Sequence, residues 1–209
     1  MSTAAVVLAA GAGSRFGGGK LRALLHGRPI VAHVVAAARA AALDPIVVVV
    51  PPTDELDDLD LGVVRRVVNP SPAEGLSSSV RLGIRALELD EDVDAVAILP
   101  GDQPLVRPEV IRALLVALDQ SPATPFVVAR YADDGAPNPI VARRSIWRLA
   151  DELSGDRGFG PVLAMHPELV RMVSVGGANP DIDTAADLAA VAEVGRVDRV
   201  RLNLDKVDG

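Results

Sequence analysis

The stretch AAVVLAAGAGSRFGGGK, residues 4–20, joins seven small or branched apolar residues to a glycine-rich loop. An apolar run of this length that stops at glycines is typical of a strand buried on both faces of a sheet. The loop that follows holds five glycines together with Arg15 and Lys20. Glycine lets backbone N–H groups approach an anion, and the two cations supply charge. The stretch therefore predicts a buried first strand followed by a phosphate-binding loop.

The rest of the chain alternates β-branched runs with amphipathic segments. The predicted strands are residues 46–50, 63–68, 95–99, 126–130, 139–142 and 170–175, and the predicted helices are 29–42, 77–89, 108–118 and 145–153. Strands and helices in alternation, with short connections, predict a parallel sheet that is covered on both faces. We expect one α/β domain over residues 1–194, a three-layer α/β/α arrangement around a mostly parallel, open, Rossmann-like sheet. Residues 195–209 form a tail to which the sequence assigns no role.

Composition excludes several classes of function. The 209 residues include no cysteine, which excludes disulfides and cysteine nucleophiles and favours a reducing compartment. A net charge of −7 and only 2% aromatic residues disfavour nucleic acid as a partner. The longest charge-free stretch, residues 1–14, has no basic start and is shorter than the roughly 20 residues that cross a membrane. We therefore expect a cytoplasmic globular protein with no nucleic-acid or membrane partner.

The glycine-rich loop matches neither of the two common nucleotide motifs. In the P-loop pattern G-x-x-x-x-G-K-[ST], Ser14 stands at the first glycine and Leu21 follows Lys20. In the dinucleotide pattern G-x-G-x-x-G, Phe16 stands at the third glycine. The predicted second strand, residues 46–50, also ends in two prolines rather than in an acid that would bind a ribose. An NAD(P)-dependent oxidoreductase is thus disfavoured.

Two further segments bring carboxylates to places where ligands bind in open α/β sheets. Asp102 lies in LPGDQP, residues 99–104, a tight turn after a strand, where it either serves the site or caps the next helix. In DIDT, residues 181–184, Thr184 resembles a capping-box partner of Asp187, which leaves Asp183 available as a second carboxylate. A non-catalytic nucleotide-binding module would not need both Asp102 and Asp183.

Four stretches together carry a family resemblance: LAAGAGSRFGGGK at residues 8–20, NPSPAEGLSSS at 69–79, GDQP at 101–104 and DIDT at 181–184. The first resembles the nucleotidyltransferase signature L-A-[AG]-G-x-[GS]-x-R-[MF]-G-x-x-K. The set, which spans residues 4 to about 192, resembles the MobA-like family and is most similar to its molybdenum cofactor cytidylyltransferases. The resemblance implies transfer of a nucleoside monophosphate from a triphosphate, with CTP favoured, to a phosphorylated acceptor, namely molybdopterin, with release of pyrophosphate. A molybdoenzyme or its chaperone would then receive the product.

The resemblance also implies a role for each matched residue. Arg15 would hold the outer phosphates, Lys20 the α-phosphate, and Asp102 and Asp183 the cofactor Mg²⁺; the catalytic residues are Lys20, Arg15 and Asp102. The implied nucleotide-binding residues are Leu8, Ala9, Ala10, Gly11, Gly13, Arg15, Lys20, Asn69 and Ser78. For the serines of residues 77–79, a capping role at the helix start is an open alternative.

Two segments depart from the family pattern in the part of the chain that should shape the acceptor pocket. GDRGFG, residues 155–160, resembles a family G-D-x-G-A-R segment, but Phe159 and Gly160 replace the alanine and arginine. GAPNP, residues 135–139, resembles a family G-x-P stretch with an added Asn-Pro. A guanylyltransferase, or a nucleotidyltransferase that acts on another small phosphorylated acceptor, is therefore an alternative. Ala10 favours CTP, because it stands where the guanylyl branch has glycine and its methyl group would narrow the space beside the base.

Overall fold

A seven-stranded sheet organises the structure, a computed structural model that describes residues 2–11, 13–132 and 137–193. The strands of these residues are β1 (Ser2–Leu8), β2 (Leu24–Leu25), β3 (Arg28–Pro29), β4 (Ile46–Val50), β5 (Arg65–Val68), β6 (Val93–Pro100), β7 (Phe126–Tyr131), β8 (Ile140–Arg143) and β9 (Val170–Val175). β2 and β3 form a short separate hairpin, and the others form the sheet in the order β5-β4-β1-β6-β8-β7-β9. The predicted tail, residues 195–209, lies outside the described residues.

Six of the seven strands in this sheet run in the same direction, which confirms the predicted mostly parallel α/β fold. The exception is β8, which lies antiparallel between β6 and β7. The connection from β7 to β8 is too short for the crossover that a parallel pair requires, so the two strands must run in opposite directions.

Helices cover both faces of the sheet, so the fold has three layers: helices, sheet and helices. The helices are α1 (Ile30–Ala40), α2 (Leu76–Arg85), α3 (Pro108–Asp119) and α4 (Gly160–Met165), followed by a further helical stretch at residues 185–193. α1 and α3 pack on one face, whereas α2 and α4 pack on the other. None of the helices in the described ranges is both long enough and apolar enough to cross a membrane.

One predicted helix forms as a 3₁₀-helix. The sequence predicts a helix near residues 145–153, and Arg144–Glu152 is helical there, with 3₁₀ rather than α geometry. Trp147, Ala150 and Leu153 are all buried, and they recur every third residue. A period of three fits the 3₁₀ turn rather than the α-helical turn, so burial of these side chains favours the tighter helix.

The core packs helix α2 directly onto the central strands. β1 is buried on both faces, with Ala5 and Val7 in one layer and Ala4 and Val6 in the other. At Gly83 the helix approaches so closely that an added Cβ would lie 2.3 Å from Cγ1 of Val6 and 3.2 Å from Cγ2 of Val49. The sheet and α2 therefore have a fixed separation, and with it a fixed position for the loop that precedes α2.

We predict that Gly83→Ala lowers the free energy of unfolding by about 1–3 kcal/mol, because overpacking a rigid core forces side chains off their rotamers. Urea denaturation measures the change. The matched control is Gly176→Ala, since a Cβ at Gly176 meets no atom within 4 Å. Equal stability of Gly83→Ala and the control would show that α2 is free to shift on the sheet.

Candidate active site

The glycine-rich loop after β1 turns the chain back toward the carboxyl edge of the sheet. Three consecutive residues, Gly17, Gly18 and Gly19, have φ angles of +88°, +96° and +63°, a run that residues with side chains do not sustain. Short 3₁₀ turns precede and follow this run, and the second of them begins at Lys20. The loop thereby brings the Lys20 side chain to the end of β6.

The ammonium group of Lys20 lies between two carboxylates. Its Nζ donates hydrogen bonds to Oδ2 of Asp102 at 2.6 Å and to Oδ1 of Asp183 at 3.3 Å. The Lys20 side chain is only 11% exposed, and those of Asp102 and Asp183 are 24% and 41% exposed. Burial lowers the pKa of Lys20, but the charges and hydrogen bonds of Asp102 and Asp183 together outweigh it, so the pKa is raised overall. The ammonium is therefore charged throughout the physiological range.

Arg15 reaches the same cluster from the outside. Its guanidinium donates to Oδ2 of Asp183 at 2.7 Å, while 77% of the Arg15 side chain stays exposed. A pair this exposed contributes little stability, so Arg15 is free to exchange Asp183 for another anion. The structure thus brings together Arg15, Lys20, Asp102 and Asp183, four residues that the sequence places in one site.

The turn that carries Asp102 depends on a close backbone approach. Gly101 N–H donates to the Leu8 carbonyl at 2.9 Å, which ties the end of β6 to the end of β1. A Cβ at Gly101 would lie 2.7 Å from that same carbonyl oxygen, so only glycine fits. Asp102 is consequently fixed beside the first strand.

A capping box holds Asp183 in place, as the sequence predicts. Thr184 N–H donates to Oδ2 of Asp187 at 2.7 Å, and Asp187 N–H donates back to Oγ1 of Thr184 at 3.2 Å. The hydrogen bond from the Thr184 side chain holds the pKa of Asp187 below its usual range. Asp183 precedes this box, so its carboxylate projects from the helix start toward Lys20.

A buried amide network that the sequence analysis missed joins the two carboxylate-bearing segments. Gln103 donates to Oδ1 of Asp181 at 2.9 Å and accepts a hydrogen bond from the Asn179 side chain at 3.0 Å. Ile182 N–H also donates to the Asp102 carbonyl at 3.0 Å. Loss of hydration, and then the charge of Asp102, raise the pKa of Asp181. The signal in the sequence is a pair of amides, Gln103 within GDQP and Asn179 shortly before DIDT, but nothing local indicates that they meet.

Asn69 and Ser78, which the resemblance assigns to the nucleotide, are joined by a hydrogen bond where the loop before α2 meets the helix. Asn69 is fully buried, and its amide donates to the hydroxyls of Ser78 at 2.8 Å and Ser79 at 3.0 Å. Its side-chain oxygen accepts a hydrogen bond from the Ser71 N–H at 2.9 Å. With its amide paired inside the protein, Asn69 fixes the loop before α2. Ser79, rather than Ser78, lines the cavity beside β1.

Two cavities meet at Asp102. The first, of about 390 Å³, lies between the β1 loop and the start of α2 and is lined by Leu8, Ala10, Gly11 and Gly13 among others. The second, of about 420 Å³, lies between α2 and the residues that lead into α4. Leu8, Leu76, Pro100, Asp102 and Asp156 line both cavities. Ala9 faces away from them, in the core beneath α1. Two ligands could therefore contact each other beside the Asp102 carboxylate.

The second cavity contains a cation that the sequence analysis did not single out. Arg157 lines it together with Asp156 and Phe159. No described residue forms an ion pair with Arg157, so its charge is available to an anionic ligand. The sequence signal for Arg157 is its place in residues 155–160, which resemble a family segment. Arg157 lies shortly before Phe159 and Gly160, the two residues that depart from that segment.

The carboxylates of Asp102 and Asp183 suit a divalent cation. Both already surround one positive group, the Lys20 ammonium, and both are partly exposed. Mg²⁺ in nucleotide sites is commonly held by one or two carboxylates, with substrate phosphates and water completing the shell. Within residues 2–11, 13–132 and 137–193, no cluster of three or more acidic, histidine or cysteine side chains is placed to hold a metal ion, so the protein would supply only part of the coordination shell.

The fold and the site together define a nucleotidyltransferase-type α/β domain. The model of the MobA-like NTP transferase domain matches residues 5–171, and the chain belongs to that family.

Similar proteins use different nucleotides. The chain is 31% identical over 98% of its length to 2-C-methyl-D-erythritol 4-phosphate cytidylyltransferase of Cereibacter sphaeroides, and it covers 91% of that protein. It is 31% identical over 67% of its length to phosphoenolpyruvate guanylyltransferase of Sanguibacter keddieii, covering 49% of it. Rv0371c of Mycobacterium tuberculosis is 26% identical, with a TM-score of 0.79 over 92% of this chain and 98% of that one. A second structure of Rv0371c is a complex with manganese.

We predict that Asn69→Ala lowers the free energy of unfolding by about 1–3 kcal/mol, because it leaves buried serine hydroxyls and the Ser71 N–H without their partner. Urea denaturation and amide hydrogen exchange at Ser71 measure the effect. Nucleotide affinity measured alongside separates two roles. A loss of affinity with unchanged stability would contradict the positioning role and support direct contact.

Proposed function

We propose that the protein transfers a nucleoside monophosphate from a nucleoside triphosphate to the phosphate group of a small acceptor and releases pyrophosphate. The observation that carries this proposal is the position of Asp102, bound to Lys20, at the meeting point of two cavities. One cavity has the phosphate-binding loop as a wall, as a nucleotide site requires. The other offers Arg157 to the phosphate of an acceptor.

In the proposed reaction, an oxygen of the acceptor phosphate attacks the α-phosphorus of the nucleotide. The bond from that phosphorus to the oxygen bridging to the β-phosphate breaks, and pyrophosphate leaves with the bonding electron pair. The attacking oxygen is already ionised at neutral pH, so the protein needs no general base. Its main task is to position the two phosphates and to neutralise the negative charge around the α-phosphorus.

Lys20 and Arg15 are the cations for this task. Lys20 is largely buried beside Asp102 and is assigned to the α-phosphate, whereas exposed Arg15 is assigned to the outer phosphates. Both cations pair with Asp183, and Lys20 donates a shorter hydrogen bond to Asp102. The bound triphosphate would replace Asp183 as the partner of Arg15 and both carboxylates as the partners of Lys20. That exchange would free the carboxylates of Asp102 and Asp183.

Asp102 and Asp183 would hold Mg²⁺ once these cations have shifted to the phosphates. The manganese complex of the related Rv0371c supports a divalent cation on this fold. When bound, the ion neutralises charge on the phosphate oxygens. The protein contributes two carboxylates, held by the turn at Gly101 and by the capping box after Asp183.

We propose CTP as the nucleotide. Ala10 lies in the wall of the first cavity, where its methyl group takes up space that a glycine would leave open. The smaller pyrimidine ring is then favoured over a purine. The cytidylyltransferase among the relatives supports this choice, and the guanylyltransferase makes GTP the alternative to be tested.

The acceptor, like the nucleotide, has more than one candidate. Molybdopterin follows from the sequence resemblance, whereas the named relatives act on 2-C-methyl-D-erythritol 4-phosphate and phosphoenolpyruvate. The walls of the second cavity are mainly apolar, formed by Leu76, Val80, Ile98, Ile140 and Leu163 among others. Such walls favour a ring-bearing acceptor such as molybdopterin over a small polyhydroxylated one. With molybdopterin as acceptor, a molybdoenzyme or its chaperone would receive the product in the cytoplasm.

The test of the reaction is pyrophosphate release with each nucleoside triphosphate, combined in turn with molybdopterin, 2-C-methyl-D-erythritol 4-phosphate and phosphoenolpyruvate. We predict release that requires CTP, a divalent cation and one acceptor. Asp102→Asn should abolish turnover while the thermal unfolding transition is retained. Turnover by Asp102→Asn at the wild-type rate would remove Asp102 from the mechanism.

We predict that Lys20→Ala lowers kcat by roughly 10²–10³, the loss typical when one preorganised group that stabilises the transition state is removed. Steady-state kinetics with CTP measure the change, and Arg85→Ala, which removes an exposed arginine of α2, is the control. A normal kcat with only a raised KM would show that Lys20 assists binding alone.

We predict that Ala10→Gly reduces the preference for CTP over GTP by about tenfold or more, since overpacking costs on the order of 1–3 kcal/mol. Competition binding of the two nucleotides with Mg²⁺ measures the preference in both proteins. Equal affinities of the wild type for CTP and GTP would refute CTP as the preferred nucleotide without affecting the proposed class of reaction.

A further inference from the structure

A third cavity continues from the acceptor side of the site toward the edge of the sheet. It has a volume of about 470 Å³ and lies between α4 and strands β7 and β9. Pro137, Gly160 and Leu163 line both this cavity and the second one, which reaches Asp102. The two spaces are therefore neighbours that share one wall.

The lining of the third cavity is apolar throughout the described residues. Its members are Val128, Pro137, Gly160, Leu163, Ala164, Pro167, Val170 and Met172. By contrast, the second cavity carries Asp102, Asp156, Asp181 and the cation Arg157. Charge is thus concentrated near the reaction centre, and the far space offers only contacts that favour apolar groups.

Gly160 lies at the boundary of the two cavities and lines both. It is the first residue of α4, and it replaces the arginine of the family segment G-D-x-G-A-R that residues 155–160 resemble. A Cβ at Gly160 would meet only the Cβ of Arg157, at 4.0 Å, so nothing in the packing requires glycine there. An arginine at this position would place a long charged side chain between the cavities. Glycine places neither bulk nor charge there, so a passage beside Gly160 would be open and uncharged.

Phe159 makes the neighbouring wall rigid. It is 1% exposed and packs edge-to-face against Phe126, with ring centroids 5.2 Å apart. Because the Phe159 ring is held by this packing, it would not rotate into a passage beside Gly160. The two departures from the family segment therefore act together, one as a fixed apolar wall and the other as an opening.

We propose that the acceptor carries an apolar extension beyond its phosphate-bearing part, and that Gly160 selects for it by admitting that extension to the third cavity. This inference rests on the proposed function in one respect, the assignment of the second cavity to the acceptor. Continuity with that cavity identifies the occupant as part of the acceptor rather than as a separate protein partner.

A series of n-alkyl phosphates, from ethyl through butyl and hexyl to octyl, tests the inference as binding probes. Titration calorimetry on the full chain, with Mg²⁺ and a CTP analogue whose α–β bridge cannot be cleaved, gives the dissociation constant of each. Every methylene that enters the apolar space should lower it by about fourfold. We expect affinity to rise by at least ~10-fold from butyl to octyl phosphate in the wild type. A flat series would overturn the inference.

Variants at Gly160 show whether the extension passes this residue. Gly160→Met adds bulk without charge, and Gly160→Arg introduces the residue of the family segment. In both variants, the affinity for alkyl phosphates should stop rising at a shorter alkyl chain than in the wild type. Gly160→Ala is the matched control and should keep the dependence on chain length. Met172→Ser, at an exposed lining residue, should weaken octyl phosphate alone. The same dependence in Gly160→Met as in the wild type would contradict the proposed passage.

The same proteins separate this inference from the proposed reaction. Pyrophosphate release is measured beside binding in every variant. Transfer to short acceptors, combined with a flat alkyl series, would refute the apolar extension and leave nucleotidyl transfer intact. A chain-length dependence sensitive to Gly160→Met, without transfer to any acceptor, would support the passage and refute the reaction.

Discussion

The contact of the Lys20 ammonium with two carboxylates is the interaction on which the architecture of the site depends. Asp102 and Asp183 reach it from segments 82 and 163 residues away in the chain. The Lys20 side chain is largely withdrawn from water, and the two carboxylates offset the cost of burying its charge. The fold answers this requirement by ending β1 and β6 side by side and by tying residue 182 to the backbone of Asp102.

The same contact explains how a strongly acidic protein can bind a triphosphate. Arg15 and Lys20 are held in advance at the point where phosphates would arrive, and their resting partners are carboxylates rather than water. In the proposed reaction, exchange of these carboxylates for phosphate would keep each cation paired. The carboxylates released by the exchange would become ligands for a divalent ion. Each charged side chain of the site would therefore keep a partner of opposite charge.

Much of the fold and the nucleotide side of the site follows from the sequence, because the decisive signals there are local. The apolar run of β1, the glycines of the following loop and the turn before Asp102 each act within a few residues. The antiparallel direction of β8 and the 3₁₀-helix at Arg144–Glu152 were missed, since they depend on connection length and on side-chain burial every third residue. The sequence resemblance assigns Asn69 to the nucleotide, but nothing local indicates that its amide also binds the hydroxyls of Ser78 and Ser79. The amide of Gln103 and its partner Asn179, 76 residues apart, could not be paired from the sequence alone.

A crystal structure of the protein with Mn²⁺ and a CTP analogue whose α–β bridge cannot be cleaved tests the roles of Lys20, Asp102 and Asp183 most directly. Anomalous scattering locates the metal independently of the nucleotide. We predict a manganese peak bound by Asp102 and Asp183, the Lys20 Nζ moved to the α-phosphate, and the cytosine beside Ala10. A metal that contacts neither carboxylate, or a nucleotide bound while Lys20 keeps both of its carboxylate partners, would contradict the central claim that these three residues form the catalytic centre.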